Sequence, residues 1–287
     1  MMDIVSLNTA TNPDGTFTVR WKWRQQQARQ PSKGGVVRVS FPNNGWTQDR
    51  PILAELAAVH RLLEVEKVHG HGRLGNNIRI QTTFGAIRKT LLKGALKENG
   101  RGDTDKTHVA LFSKFLATKY FEAEIEVLRP EKWRDEEPKL RLDFDLVVTG
   151  VPMVTVNSII GPLVVSRHAL NRVVERCICR SDLQAHGKTK NDPKDLPDRK
   201  WTSAWRHLEK VLPNAVRGHV VESEHRRVLR KYGKSPTYLW HQDSGLVYVV
   251  AHESYGMELV TALDDEYWIA KNIPTQRGQR LIYRVAT

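Results

Sequence analysis

The chain has 287 residues, 40% of them hydrophobic, with 45 Lys plus Arg against 32 Asp plus Glu, a formal charge of +13 and a pI near 9.8. That length supplies one large core or two ordinary ones, and no run of about 18 apolar residues is present to cross a membrane as a helix. The two cysteines, Cys177 and Cys179, lie too close to staple a fold and lack a CxxC partner pair, which leaves neither a disulfide framework nor a zinc ribbon. Two reduced thiols are expected. The opening MMDIVSLNTATNPDG has neither the basic flank nor the apolar stretch of a signal peptide, so the expectation is a soluble, cytoplasmic protein.

In chain order, the first third alternates as strands do. Ile4 to Leu7 and Thr16 to Trp23 flank NPDG, where Pro13 presets φ and Gly15 accepts a positive one, and a hairpin follows. Val36 to Phe41 supplies a third strand. Arg50 to His69 then places Leu53, Leu56, Ala57, Val59, Leu62, Leu63 and Val65 at helical spacing, with Asp49 as cap and Pro51 in the first turn. Further on, Ile78 to Thr82 reads as a strand, 86–96 and 109–119 as helices, and 123–128 as a strand. After the charged PEKWRDEEPK, Leu140, Leu142, Phe144 and Leu146 alternate as a strand. A boundary is expected near Gly150, dividing the chain into 1–150 and 151–287. In the second part a helix begins at Ser166, its expected cap, with Ala169, Leu170, Val173 and Val174 as its buried stripe. Helices follow at 201–211 and 223–232, then strands at 237–240, 246–251 and 258–262. The fold class is α+β throughout: a mixed sheet with helices, then a second α+β domain with helices and an antiparallel sheet.

Charge is uneven. Residues 1–150 carry +6, 160–234 carry +9 and 235–287 carry −2. A concentrated positive surplus favours phosphate backbones, because each Lys or Arg laid on a phosphate releases condensed counterions. The expected nucleic-acid contacts are Arg167, Lys188, Lys190, Arg199, Lys200, Arg206, Arg226, Arg227, Arg230 and Lys231. Arginine suits the work, since its fork matches phosphate oxygens and keeps its charge. On the second strand, Trp21 and Trp23 share one face and Arg20, Lys22 and Arg24 the other; the basic face is either solvated or laid against a backbone. His60, His69 and His71 in and near HGHG lack a further ligand at metal spacing, and the loop reads as a solvated turn.

The order of three strands, long helix, strand, helix pair and strand over about Ile4 to Arg129 resembles the ribonuclease H fold. AELAAVHRLL, with Glu55, is similar to the start of that family's first long helix. The resemblance implies clustered carboxylates holding two Mg2+ ions. Here the first strand offers Asn8 or Ser6 where the family has Asp, and IRIQTTF offers Thr82 and Thr83 where it has Asp followed by Ser. A degenerate domain that binds without cutting is the expectation, and Mg2+ enters only if a metal-dependent nuclease centred on Glu55 survives. The plainer reading of Glu55 is an exposed first-turn carboxylate favoured by the helix dipole.

SRHALNRVVER, with Ser166, His168, Ala169, Arg172 and Arg176, resembles the opening helix of RelE and BrnT type toxins, and the later strands resemble their antiparallel sheet. The span Cys177 to Ser235 departs from that compact layout. The resemblance implies metal-independent RNA cleavage, with His168, Arg172 and Arg176 lining one stripe, Glu175 beside it and His241 and His252 approaching from the sheet. An ordinary salt-bridged helix face is the alternative. Neither a phosphate loop nor a nucleophile elbow is present.

These readings point to a nucleic-acid-binding protein of a bacterial, phage or mobile-element system. The alternatives are a nuclease, metal-independent or metal-dependent, and a protein that binds an acidic partner or itself, with the acidic 131–137 facing the basic quarter. No cofactor is expected outside the Mg2+ alternative.

Overall fold

A computed structural model describes residues 2–42, 49–70, 75, 77–93, 107–120, 122–178, 199–232, 235–264 and 268–269. The chain is α+β, with two compact units, Met1–Val154 and Thr155–Thr287.

Unit 1 is built on a seven-stranded mixed sheet. The strands are β1 (Asp3–Thr11), β2 (Phe17–Gln25), β3 (Lys33–Ser40), β4 (Ile78–Thr82), β5 (Glu124–Val127), β6 (Leu140–Arg141) and β7 (Phe144–Val147). Their order is β5-β4-β1-β2-β3-β6, with β7 also on β3. β1, β2 and β3 run antiparallel as a meander, while β4 and β5 lie parallel to β1. Both faces of β1 are covered from Asp3 to Asn8, as befits a strand at the centre of the sheet, between β2 and β4. Gly15 takes φ +80° in the β1–β2 turn, which a side chain would resist.

The helices of unit 1 are α1 (Arg50–His60), α2 (Gly85–Lys93) and α3 (Thr107–Lys119). α1 packs on β1, β2 and β3 and on the other two helices, burying Leu53, Leu56 and Val59. Two expectations fail here. The helix does not run unbroken to His69: it becomes a π-turn at Arg61–Val65. A π-turn adds a residue and rotates the following side chains, so Leu62 and Leu63 stay buried while Val65 is 51% exposed. Asp49 occupies the cap position without a side-chain hydrogen bond. Its φ is 53°, not the extended value that capping side chains require.

Unit 2 holds a second seven-stranded sheet, in the order β14-β10-β11-β12-β13-β9-β8. Its strands are β8 (Thr155–Ser158), β9 (Gly161–Val165), β10 (Val216–Val220), β11 (Thr237–His241), β12 (Leu246–Glu253), β13 (Gly256–Asp264) and β14 (Trp268–Ile269). All neighbours are antiparallel except β13 and β9. The sheet is therefore mixed, against the antiparallel one expected. β12 is buried without interruption from Leu246 to Ala251, so both of its faces are covered. One face packs Val247, Val249 and Ala251 with Val228, which lies on α6 (Glu222–Tyr232). α4 (Arg167–Val173), continued by a π-turn at Val174–Ile178, packs on β13 and on α5 (Arg199–Val211). Ser166 caps α4, its hydroxyl accepting from the Ala169 N–H at 3.1 Å. Trp201 and Trp205, four apart on α5, are core residues.

Candidate functional site

Glu55 is fully buried, not exposed. α1 carries it to the place where the carboxyl ends of β1 and β4 meet. There Oε2 accepts from the Thr9 hydroxyl at 2.5 Å and Oε1 from the Thr83 N–H at 2.6 Å. The ring closes through the Thr9 N–H, which donates to Thr83 Oγ1 at 3.0 Å. Burial pushes the Glu55 carboxyl above its ordinary range, against the opposing pull of the Thr9 and Thr83 hydrogen bonds.

Strand alternation identifies the residue that meets Glu55 as Thr9, which the sequence reading had not singled out. Ser6 and Asn8 lie on the opposite face of β1. Ser6 donates to Gln81 at 2.6 Å, and Asn8 accepts from Arg20 at 3.4 Å. The donor set does not fit Mg2+. One carboxylate faces hydroxyl and amide groups, both of its oxygens already accept, and a hard cation needs carboxylate charge. No group of three or more His, Cys, Asp or Glu is placed to hold a metal among the described residues.

The basic face of β2 is partly covered rather than open. The segment 133–137 lies over it. Arg20 pairs with Asp135 at 3.1 Å, while Lys22 and Arg24 pair with Glu136 at 3.1 and 3.8 Å. Lys22, 8% exposed, also donates to the Arg134 carbonyl at 3.1 Å and stands 4.7 Å from the Trp133 ring centroid. The acidic insert thus pairs within unit 1. A cleft of about 250 Å3 between strap and sheet is lined by Arg20, Lys22, Trp133 and Glu136. In the HGHG loop His69 is buried beside Tyr120, and His71 lies outside the described residues.

The charged groups acting on His168 are Lys231, Arg172, Glu175 and Arg176. Burial, then Lys231 and Arg172, hold the imidazole below its usual range. Arg172 is paired with Glu175 at 2.7 Å and Arg176 with Asp264 at 3.2 Å. His241 and His252 go elsewhere: His241 acts on His207, and His252 Nε2 is 3.0 Å from Thr237 Oγ1.

The remaining expected contacts sort by partner. Arg226 pairs with Glu222 at 3.2 Å, and Arg227 with Glu224. Arg206 and Arg230 are exposed and make no ion pair among the described residues. Lys231 is likewise exposed and lies 5.1 Å from the Tyr232 ring centroid. Arg167 is partly buried at the start of α4. Arg199 and Lys200 begin α5, and Lys188 and Lys190 lie outside the described residues.

Two further clusters were not read from the sequence. Cys177 has Sγ 3.5 Å from His207 Nε2, which is 3.2 Å from the Tyr248 hydroxyl; Cys179 is outside the described residues. The second is a cleft of about 550 Å3 lined by Arg217, His219, His225, Ser235 and Tyr238, among others. It was missed because VRGHV, broken by Gly218, is too short to announce β10.

Set against protein-family models, curated proteins and solved structures, the chain matches none of them.

Proposed function

We propose that this is a nucleic-acid-binding protein of a bacterial, phage or mobile-element system, acting in the cytoplasm and holding phosphate backbones through unit 2. The observation that carries the reading is that Lys231 on α6, Arg172 on α4 and Arg176 in the π-turn that follows it all act electrostatically on His168 of α4, in the stretch of the chain that holds its charge surplus. Phosphates attract such a surface and release counterions on contact. Unit 1 is the companion, a ribonuclease H-like domain without cleavage chemistry. The order β5-β4-β1-β2-β3 and the position of Glu55 support that likeness, and the threonine partners of Glu55 argue against metal-dependent cutting.

The test is the mobility and integrity of labelled single-stranded RNA, single-stranded DNA and duplex DNA with the full chain, at low and high salt, with Mg2+ and with EDTA. The expected result is a shift of intact strands, the same in Mg2+ and EDTA. If about four phosphates are contacted, affinity falls roughly 100-fold for a fourfold rise in salt. No shift at low salt overturns the reading.

A further inference from the structure

We propose that the basic face of β2 is a second contact for a nucleic-acid strand, held shut by the acidic strap 133–137 and opened when strand phosphates displace its carboxylates. The inference rests on the nucleic-acid reading for its ligand class and adds to it a latent surface in unit 1.

Arg20, Lys22 and Arg24 stand two apart on β2 and project in a row from one face of the sheet, with Asn8 and Ser6 of β1 beside Arg20 and Lys22. Their side chains converge on the strap. Asp135 meets Arg20 at 3.1 Å, and Glu136 stands between Lys22 at 3.1 Å and Arg24 at 3.8 Å. Alternate residues of an antiparallel strand lie about 7 Å apart, a spacing comparable with that of successive phosphates in an extended strand. The two carboxylates therefore occupy places suited to two phosphates, on the residue types that hold them.

The strap is fastened at its ends and loose between them. Before it the Leu128 N–H donates to the Thr82 carbonyl at 2.8 Å, and after it the Lys139 N–H donates to the Pro31 carbonyl at 3.0 Å. From 134 to 138 no main-chain hydrogen bond joins it to the sheet among the described residues, and no residue of the strap is buried. Side-chain contacts hold it instead. Besides the ion pairs, the Lys22 ammonium donates to the Arg134 carbonyl at 3.1 Å and the Gln30 amide to the Glu137 carbonyl at 2.9 Å. Lys22 and Arg20 also lie 4.7 and 5.9 Å from the Trp133 ring centroid.

Exposed pairs of this kind are individually weak and screened by salt. A phosphate brings the same sign of charge as the carboxylate it replaces, so the cations stay paired throughout the exchange. The cleft of about 250 Å3 between strap and sheet gives the exchange a place to begin. A surface closed for most of the time shows an affinity lowered by its open fraction, and loosening the strap raises that fraction.

Affinity of the full chain for a short labelled RNA and its DNA counterpart is measured by fluorescence anisotropy over a salt series. Asp135→Asn with Glu136→Gln neutralises the strap while keeping acceptors for Trp133 and Lys22. Glu131→Gln with Glu137→Gln removes the same charge from the same segment, at carboxylates that make no ion pair among the described residues. The first variant is expected to bind strands about tenfold more tightly and to steepen the salt slope by about two, at roughly 0.7–0.9 per phosphate; the second changes both little. Arg20→Gln with Arg24→Gln, added to the first variant, returns affinity and slope to near the wild-type values.

Equal tightening by the two carboxylate variants puts the effect down to net charge and overturns the strap as a cover. No change in the strap variant, with wild type binding, overturns the latent face and leaves the nucleic-acid reading standing. Polyglutamate held by the strap variant as tightly as RNA makes the face a site for acidic protein segments and overturns the strand assignment. A strap variant that binds strands where wild type does not upholds the face and removes unit 2 as the main contact. If neither binds, the nucleic-acid reading fails and takes this face with it.

Discussion

The basic face of β2 in unit 1 and three exposed arginines of unit 2 treat their charges in opposite ways. In unit 1 the cations of β2 meet Asp135 and Glu136 from the same unit, and Glu55 is held by two threonines. In unit 2 Arg206, Arg217 and Arg230 stand exposed without an ion pair among the described residues, and the exposed Lys231 acts electrostatically on His168. The difference teaches that a run of basic residues stays available to an outside anion only where the fold leaves its charge unanswered. VRWKWR offers a basic face in sequence, yet the strap at 133–137 lies over it.

The largest effect that sharpens this contrast is at Glu55. Glu55→Ala removes the acceptor of the buried Thr83 N–H and opens a void, which costs about 2–4 kcal/mol in urea unfolding. Glu55→Gln keeps an acceptor for Thr83 and offers a donor to Thr9, and it stays close to wild type. Burial raises the folded pKa of Glu55, so its stabilising contribution is complete below the ordinary carboxyl range and declines as pH rises through the folded value. Stability of wild type and Glu55→Gln measured across pH should therefore diverge on going upward, in favour of the glutamine.

Next comes the strap. Glu136→Ala leaves Lys22, nearly buried, with the Arg134 carbonyl as its remaining hydrogen-bond acceptor, and a loss of about 1–2 kcal/mol is expected by the same unfolding assay. In unit 2, Arg230→Ala with Lys231→Ala weakens strand affinity about tenfold, a larger loss than Arg226→Ala with Arg227→Ala, whose arginines are committed to Glu222 and Glu224. The smallest effect belongs to the exposed pair Arg20 and Asp135. Asp135→Asn changes stability by about 0.5 kcal/mol or less, and a larger loss would mean that the strap is held by that pair.

Much of the fold was legible because its signals were local. NPDG gave the first hairpin, the 3.6-residue spacing of Leu53, Leu56 and Leu63 gave α1, and Ser166 gave the start of α4. What escaped depended on partners distant in sequence. The π-turn that turns Val65 outward is a backbone event with no residue signature, and the parallel pairing of β13 with β9 joins strands some ninety residues apart. The same limit applied to the sites. Glu55 was visible in AELAAVHRLL, but its place depends on Thr9 of β1 and on Thr83, just past the end of β4, which the fold brings to it. Arg217 and His219 were hidden because a five-residue strand with a central glycine has too little period to register.

The most direct test is a matched pair of charge reversals. Arg230→Glu with Lys231→Glu changes unit 2 by as much charge as Arg38→Glu with Arg141→Glu changes unit 1, where both arginines are exposed and paired with Asp145 and Asp143. Strand affinity of the two variants is compared with wild type at one low salt concentration. The account predicts that the unit 2 reversal removes most of the binding and the unit 1 reversal removes little. Equal losses would show that net charge alone governs binding and would contradict it.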